Sequence, residues 1–352
     1  MKKACGNRFL RFGVIMTIVA LMFPLQATGQ NRSLEKFKKA AQKTFNVLDN
    51  LLCAVDSAYV EDNLYNLTFM PEYSYNYEYY KFQSTANGGQ GINIVPQGRN
   101  LLTLYFGWRW IILGYTIDLQ NNRQITEFKT SLYSARFGLD LYYRNSSDGY
   151  KIKSLDGFSD GEKHIQDFNN NFNALTVNQI GIGVSYAFNK RFSYSAAYGQ
   201  STIQRASAGS VILGVGYNQQ EFELNHKHLN PLVIAQLQNE LKFNRAEFKD
   251  FSISLGYGYN WVFAKNFLAS LTLTPAVSYK KSSLELNNSK SIQASINLDF
   301  TTRAAIVYNN NKYYFGASLE SFTYLNKVNH LSISNGFGVL GIYVGYNFWR
   351  KK

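Results

Sequence analysis

FSISLGYGYNW, residues 251–261, sets two chemistries on alternate positions. Phe251, Ile253, Leu255, Tyr257, Tyr259 and Trp261 form one set; Ser252, Ser254, Gly256, Gly258 and Asn260 form the other. A period of two belongs to an extended strand, whose successive side chains point to opposite faces of a sheet. The medium on each side then decides the fold. A soluble barrel or sandwich turns its bulky face inward to fill a core and its charged face to water. Here the second face is Gly, Ser and Asn, which suits a close-packed polar lumen better than open water. A membrane-spanning barrel has the reverse arrangement, apolar outward into lipid and polar inward, with aromatic residues at the two interfaces.

The same two-sided pattern spreads outward from this stretch. Tyr73, Tyr75, Tyr77 and Tyr79 alternate with Glu72, Ser74, Asn76 and Glu78. Leu139, Leu141 and Tyr143 alternate with Gly138, Asp140 and Arg144, and Ile180, Ile182 and Val184 with Gly181, Gly183 and Ser185. The last strand sets Leu340, Ile342, Val344 and Tyr346 against Val339, Gly341, Tyr343 and Gly345. Thirteen candidate strands emerge: 72–83, 89–95, 101–107, 110–119, 127–144, 174–188, 191–199, 208–218, 248–262, 266–281, 291–308, 311–325 and 333–348. A bacterial barrel normally closes with an even number, so twelve are expected, with 89–95 the first to be discarded.

Composition agrees with this reading. In 352 residues only 17% are charged while 16% are aromatic, which excludes a charge-dominated disordered chain or a cysteine-stapled one. The formal charge of +13 comes from thinly spread Lys and Arg, without a basic helix or nucleic-acid motif, so nucleic acid is not an expected partner. After the amino terminus no apolar run is long enough for a spanning helix, and a closed barrel is the other way to satisfy every backbone group in lipid.

The amino terminus reads as an export signal. Lys2, Lys3, Arg8 and Arg11 precede the apolar run 12–25 and the small residues Ala27 and Gly29, so 1–29 is expected to be a signal peptide. Cleavage there lowers the formal charge from +13 to +9 and removes Cys5, leaving Cys53 unpaired. From Leu34 through Phe37, Ala41, Phe45, Leu48 and Leu52 the apolar spacing is three to four, predicting a helical lead-in over 30–64 on the periplasmic side. The barrel is then expected over 65–352. Polar 145–173 reads as a loop. Segment 219–247 reads as an insert with a short helix capped by Asn230 and begun by Pro231. Short connections at 263–265 and 309–310, against longer ones at 282–290 and 326–332, suggest periplasmic turns and extracellular loops, an alternation that fails between 188 and 208.

FNKRFSYSAAYGQSTIQRASAGSVILG, residues 188–214, resembles the signature of a Bacteroidetes family of unknown function whose members are predicted outer-membrane β-barrels. Phe188, Asn189, Arg191, Phe192, Ser193, Tyr194, Ala196, Ala197, Gln204 and the run Ser207, Ala208, Gly209, Ser210 carry the likeness. This chain departs at Ala206, where the family usually has a basic residue, and at Ser195, often Arg there. The resemblance implies an exported barrel and supplies no reaction or substrate.

Candidate chemistry is sparse. His164, His226, His228 and His330 all fall in connections, no strand sets a His beside a nucleophile, and His226 with His228 lack the further ligands of a zinc site. No catalytic residue, metal or cofactor is expected. Arg136, Asp140, Asp299, Arg303 and Glu320 sit on the polar faces of strands and point to a lumen network, either lining a path or filling the lumen as an ionic plug. Arg136 and Asp140 share one face of a strand in this reading. Arg191, Gln204, Arg205, Ser207, Gly209 and Ser210 form the polar core of the signature, as a rim loop or, if 200–207 folds inward, as a plug.

The expected whole is all-β: a transmembrane antiparallel β-barrel of about 12 strands after a signal peptide and a short helical segment. Outer-membrane lipid is its first partner, and an unidentified envelope protein is a second. A narrow pore, a transport component or a structural envelope protein all fit. A barrel enzyme acting on lipid or peptide, or a partner binder using its loops, remains the alternative.

Overall fold

The computed structural model describes residues 54–351 apart from 87–88, 97, 109–110, 121–124, 148, 160–173, 226–228, 230 and 287–288. The segment expected to be a signal peptide, most of the expected lead-in, Cys53, His164, His226, His228 and Asn230 lie outside the described residues. The described part of the lead-in holds a turn and a short strand, β1 (Val60–Asp62), where a helix was expected.

Twelve strands form one continuous antiparallel path. In chain order they are β2 (Tyr65–Ser84), β4 (Arg99–Trp108), β5 (Ile111–Asp118), β6 (Ile125–Tyr133), β7 (Phe137–Ser146) and β9 (Leu175–Ala187). They continue with β11 (Ala208–Leu224), β12 (Phe243–Ala264), β13 (Phe267–Leu286), β14 (Ser289–Asn309), β15 (Tyr313–Val328) and β16 (Leu331–Arg350). The spatial order runs β5-β4-β2-β16-β15-β14-β13-β12-β11-β9-β7-β6, so the last strand pairs with the first long one. Two more, β3 (Gly91–Pro96) and β8 (Tyr150–Asp156), leave this path and pair with each other, β3 also joining β2. The weak segment 89–95 is therefore a strand, but not one of the twelve.

The sheet curls until its inner face meets itself. Tyr142 on β7 hydrogen-bonds Tyr324 on β15 at 3.0 Å, and Asn326 on β15 reaches Gln220 on β11 at 3.1 Å. Leu255, Leu271 and Ile342 on the outer face are 61%, 50% and 63% exposed, while inward Thr272, Ser278 and Ser210 are buried. From Phe251 to Trp261 the chain climbs ten residues; at ~3.3 Å each and a tilt of ~40° this gives an apolar band of about 25 Å, the height of a hydrocarbon core.

Beyond that band each long strand changes its chemistry. Outward along β2 the row runs Tyr73, Tyr75, Tyr77, Tyr79 and then Lys81 and Gln83; inward it runs Ser74, Asn76, Glu78 and then Tyr80 and Phe82. On β12, Arg245, Glu247 and Lys249 face out while Ala246 and Phe248 are buried. This part of the curled sheet packs as a soluble protein does, with its apolar core on the inner face. Tyr80, Phe82, Ile94, Tyr150, Phe222 and Phe248 belong to that core, closed over by β3, β8 and the helix α2 (Pro231–Gln236).

Several expectations are corrected by this geometry. Residues 219–247 begin and end in strand, because β11 runs on to Leu224 and β12 starts at Phe243, past the apolar band; between them the short helix expected to begin at Pro231 is present as α2. Loop 145–173 contains β8. Segments 282–290 and 326–332 are mostly strand, since β13 runs to Leu286 and β14 starts at Ser289, while β15 runs to Val328 and β16 starts at Leu331. Segment 127–144 is two strands, broken at 134–136 where the Ser134 amide bonds the Phe137 carbonyl. Segment 191–199, read as a strand, carries the helix α1 (Tyr194–Tyr198), which removes the failed alternation of turns between 188 and 208.

Candidate functional site

Residues 189–207 fold into the mouth of the curled sheet at the end where β2 begins and β16 finishes. Ser193 caps α1, its Oγ accepting from the Ala196 amide at 3.3 Å, and Tyr194, Ser195, Ala196 and Ala197 are buried. Small residues here let a helix sit among strands without swelling the wall. Tyr198 reaches Ser270 at 3.1 Å on β13, and Tyr133 on β6 stacks on Tyr194. Gln200, in the left-handed region at φ 53°, donates to the Tyr343 hydroxyl at 3.2 Å and accepts from Asn309 at 3.0 Å. One segment is thus tied to β6, β13, β14 and β16.

Gln204 is the buried centre of this segment. Its Nε2 donates to the carbonyls of Arg191 (2.6 Å) and Ala206 (2.9 Å), while its Oε1 accepts from the Ser193 amide (3.1 Å) and Asn260 (3.0 Å) on β12. A side chain that closes its own loop in this way fixes it with few degrees of freedom. The strand β10 (Thr202–Gln204) pairs with β1, joining residues 189–207 to the chain just before β2. Arg191 meets Asp56 at 3.2 Å, and Arg205 meets Glu61 at 2.6 Å and Asn266 at 2.8 Å, all at the exposed rim. Ser207 accepts the Val262 amide at 2.9 Å. Ser210 accepts the Asn189 amide at 2.9 Å, and the Gly209 carbonyl accepts from the Asn189 side chain at 2.6 Å. At Gly209 a Cβ would lie 2.0 Å from the hydroxyl of the exposed Tyr257, so a larger residue there would displace that ring.

The charges form separate groups. Arg303 on β14 bonds Asp140 on β7 at 2.7 Å and Glu320 on β15 at 2.8 Å; Glu320 also bonds Lys129 on β6, and Tyr133 donates to Asp140 at 3.0 Å. Asp299 belongs to a second group, with Ser278 and with Lys280 at 2.8 Å, and Asp250 stands 3.9 Å from the same ammonium. A third is a chain across β5, β4, β6 and β7: Asp118 to Arg99 at 2.9 Å, Arg99 to Glu127 at 2.8 Å, Glu127 to Arg144 at 2.9 Å, and Arg144 on to Glu78 of β2 at 3.5 Å. Arg136 joins none of them. It precedes β7 in a bend and holds the Ala187 and Phe188 carbonyls at 3.0 and 2.9 Å, stacked on Tyr186 at 4.7 Å, because the strand expected to carry it together with Asp140 breaks before Phe137.

Lys129, Lys280, Asp250, Arg144, Glu127, Glu78 and Arg99 were not singled out from the sequence. Parity was the available signal: Lys280 falls in step with Ser278 and Ala276, on the small-residue face. A cavity of about 100 Å³ lies against these groups, lined by Asp140, Asp250, Asp299 and Arg303 with Tyr142 and Tyr324. Gly183, with open space at its Cβ position, and the half-buried Ser252 and Ser254 form part of the same wall. His330, the one described histidine, stands in the hairpin between β15 and β16, its carbonyl accepting from the Thr85 amide. Among the described residues no three His, Cys, Asp or Glu side chains cluster as metal ligands.

Residues 54–348 match the family model described as a domain of unknown function, DUF4421. The chain belongs to that family. No curated protein matches it in sequence. Among solved structures it is similar to the outer membrane protease OmpT from Escherichia coli, at 6% identity and a TM-score of 0.39, covering 80% of this chain and 97% of that one. It is also similar to the translocator domain of the autotransporter NalP from Neisseria meningitidis, at 7% identity and a TM-score of 0.29, covering 90% and 97%. A third is Ail, the attachment invasion locus protein of Yersinia pestis, at 9% identity and a TM-score of 0.23, covering 79% and 99%. The curled sheet with its outward apolar rows makes the DUF4421 chain an outer-membrane protein, since strands that cross a membrane do so with this parity.

Proposed function

We propose that the twelve strands form a transmembrane barrel, exported by the segment 1–29, whose two mouths are shut at rest. It serves as a gated transport component of the envelope and not as an open pore. The observation that carries this is the plug 189–207, buried and hydrogen-bonded to four strands of the wall at one mouth. The apolar core of Tyr80, Phe82, Phe222 and Phe248 fills the other. In this reading the end where β2 begins and β16 finishes is periplasmic, and the hairpin ends with β3, β8 and α2 are extracellular. Arg303, Asp140 and Glu320 act between the mouths as an ionic partition. Arg191 and Arg205 anchor the plug to the lead-in.

Planar-bilayer recording tests the proposal. The purified protein is expected to be nearly silent, and deletion of 190–206 with a short Gly-Ser replacement to give discrete ion steps. Steady, large steps from the intact protein would overturn it.

A further inference from the structure

We propose that the seam between β5 and β6 is a lateral portal through which a single-chain amphiphile passes between the bilayer and the lumen. The inference rests on the shut mouths argued above, which leave the wall itself as the way in.

Every other neighbouring pair along the path is joined by a ladder. Among the described residues the backbone ladder joins β5 to β4 alone and β6 to β7 alone, although only residues 119–124 separate them in the chain. Unpaired strand edges are costly in hydrocarbon and are tolerated where they border a wet cavity. The inner face of β5 meets that condition. Thr116 and Gly114, which parity and the pairing with Thr103 and Tyr105 turn inward, are exposed, whereas inward Thr272, Thr274 and Ser278 on the laddered wall are buried. Lys129, inward on β6, lies at the same opening.

The chemistry on the two sides selects the ligand. Outside, Phe106, Tyr115 and Phe128 are exposed around the seam and suit an alkyl chain. Inside, Thr116, Lys129 and Glu72 offer a hydroxyl, an ammonium and a carboxylate to a polar head. At the hairpin end the chain Asp118, Arg99, Glu127, Arg144 spans β5, β4, β6 and β7 where the ladder is missing. It is a strap that holds the two edges near each other without zipping them, so Arg99 is a positioning residue for the gap.

A clickable, diazirine-bearing lysophosphatidylcholine tests this with the full-length mature protein in phosphatidylcholine vesicles. After illumination, mass spectrometry is expected to find inward Thr116 or Lys129 labelled at least tenfold above inward Thr274 and Ser278. Arg99→Ala is expected to raise that ratio severalfold, with Lys151→Ala as a control that leaves it unchanged. Labelling confined to outward rows, with Thr116 and Lys129 no higher than Thr274, would overturn the portal, as would a dimer cross-linked through β5 with both edges protected. Failure of the shut-mouth reading would show instead as current through the intact protein, which labelling does not register.

Discussion

Replacing Arg303 with Met removes the one cation that neutralises both Asp140 and Glu320. The guanidinium gives Nη2 to Asp140 at 2.7 Å and Nε to Glu320 at 2.8 Å, and its side chain is only 6% exposed. Truncating one partner of a buried ion pair costs about 3–5 kcal/mol, because a desolvated charge is left behind. Here Glu320 keeps Lys129, and Asp140 borders the cavity, where water relieves part of the penalty. The lower end, about 3 kcal/mol, is therefore expected. Removing the stranded charge as well, in Asp140→Asn with Arg303→Met, should restore at least ~1 kcal/mol, as contacting residues couple non-additively. Urea titration of folding into lipid vesicles, followed by tryptophan fluorescence, measures both variants. An Arg303→Met protein within ~0.5 kcal/mol of the parent, or a double variant at the sum of its singles, would refute the reasoning.

Three further outcomes follow from the same geometry. Leu255→Arg puts a charge on the lipid face near the middle of the apolar band and should cost about 2–4 kcal/mol in the same titration, whereas no loss would mean that row does not face lipid. Asn260→Ala takes a donor from Gln204 and from the Ser193 carbonyl; a loss of about 1–3 kcal/mol with brief current steps in a bilayer is expected, and a stable, silent variant counts against the plug's anchoring. Gly256→Ala brings a Cβ to 2.1 Å from the Leu273 carbonyl, while Gly183→Ala meets nothing within 4 Å. The first should destabilise by about 1–3 kcal/mol and the second by almost nothing, a contrast that equal values would erase.

Much of the wall was legible from parity. The alternation across Phe251 to Trp261 gives both the inside and the outside of β12, and the same rule locates β2, β9 and β16. It misled where strands leave the lipid. Past Asn218 and Phe248 the outward row turns to Glu221, Arg245 and Glu247, which reads as a polar insert although the strands continue with Phe222 and Ala246 inward. The helix at Tyr194–Tyr198 was hidden for another reason. The aromatic and small residues, Phe192 through Tyr198, resemble a strand locally, and only the wall around them, through Ser270, Tyr343 and Asn260, makes a helix the better solution. Of the strand charges, Arg303, Asp140 and Glu320 come together across 163 and 17 positions of sequence, a convergence that no local pattern encodes. Lys280 could have been found by its parity alone.

Side-chain direction in β12 is the quantity that tests the account most directly. Single nitroxides at Ser252, Ile253, Ser254 and Leu255, in protein reconstituted into bilayers, can be read by collision with oxygen, which concentrates in hydrocarbon. High accessibility at Ile253 and Leu255 with low values at Ser252 and Ser254 is the predicted result. The opposite parity, or uniformly low values in a monomer that stays dispersed without detergent, would contradict it.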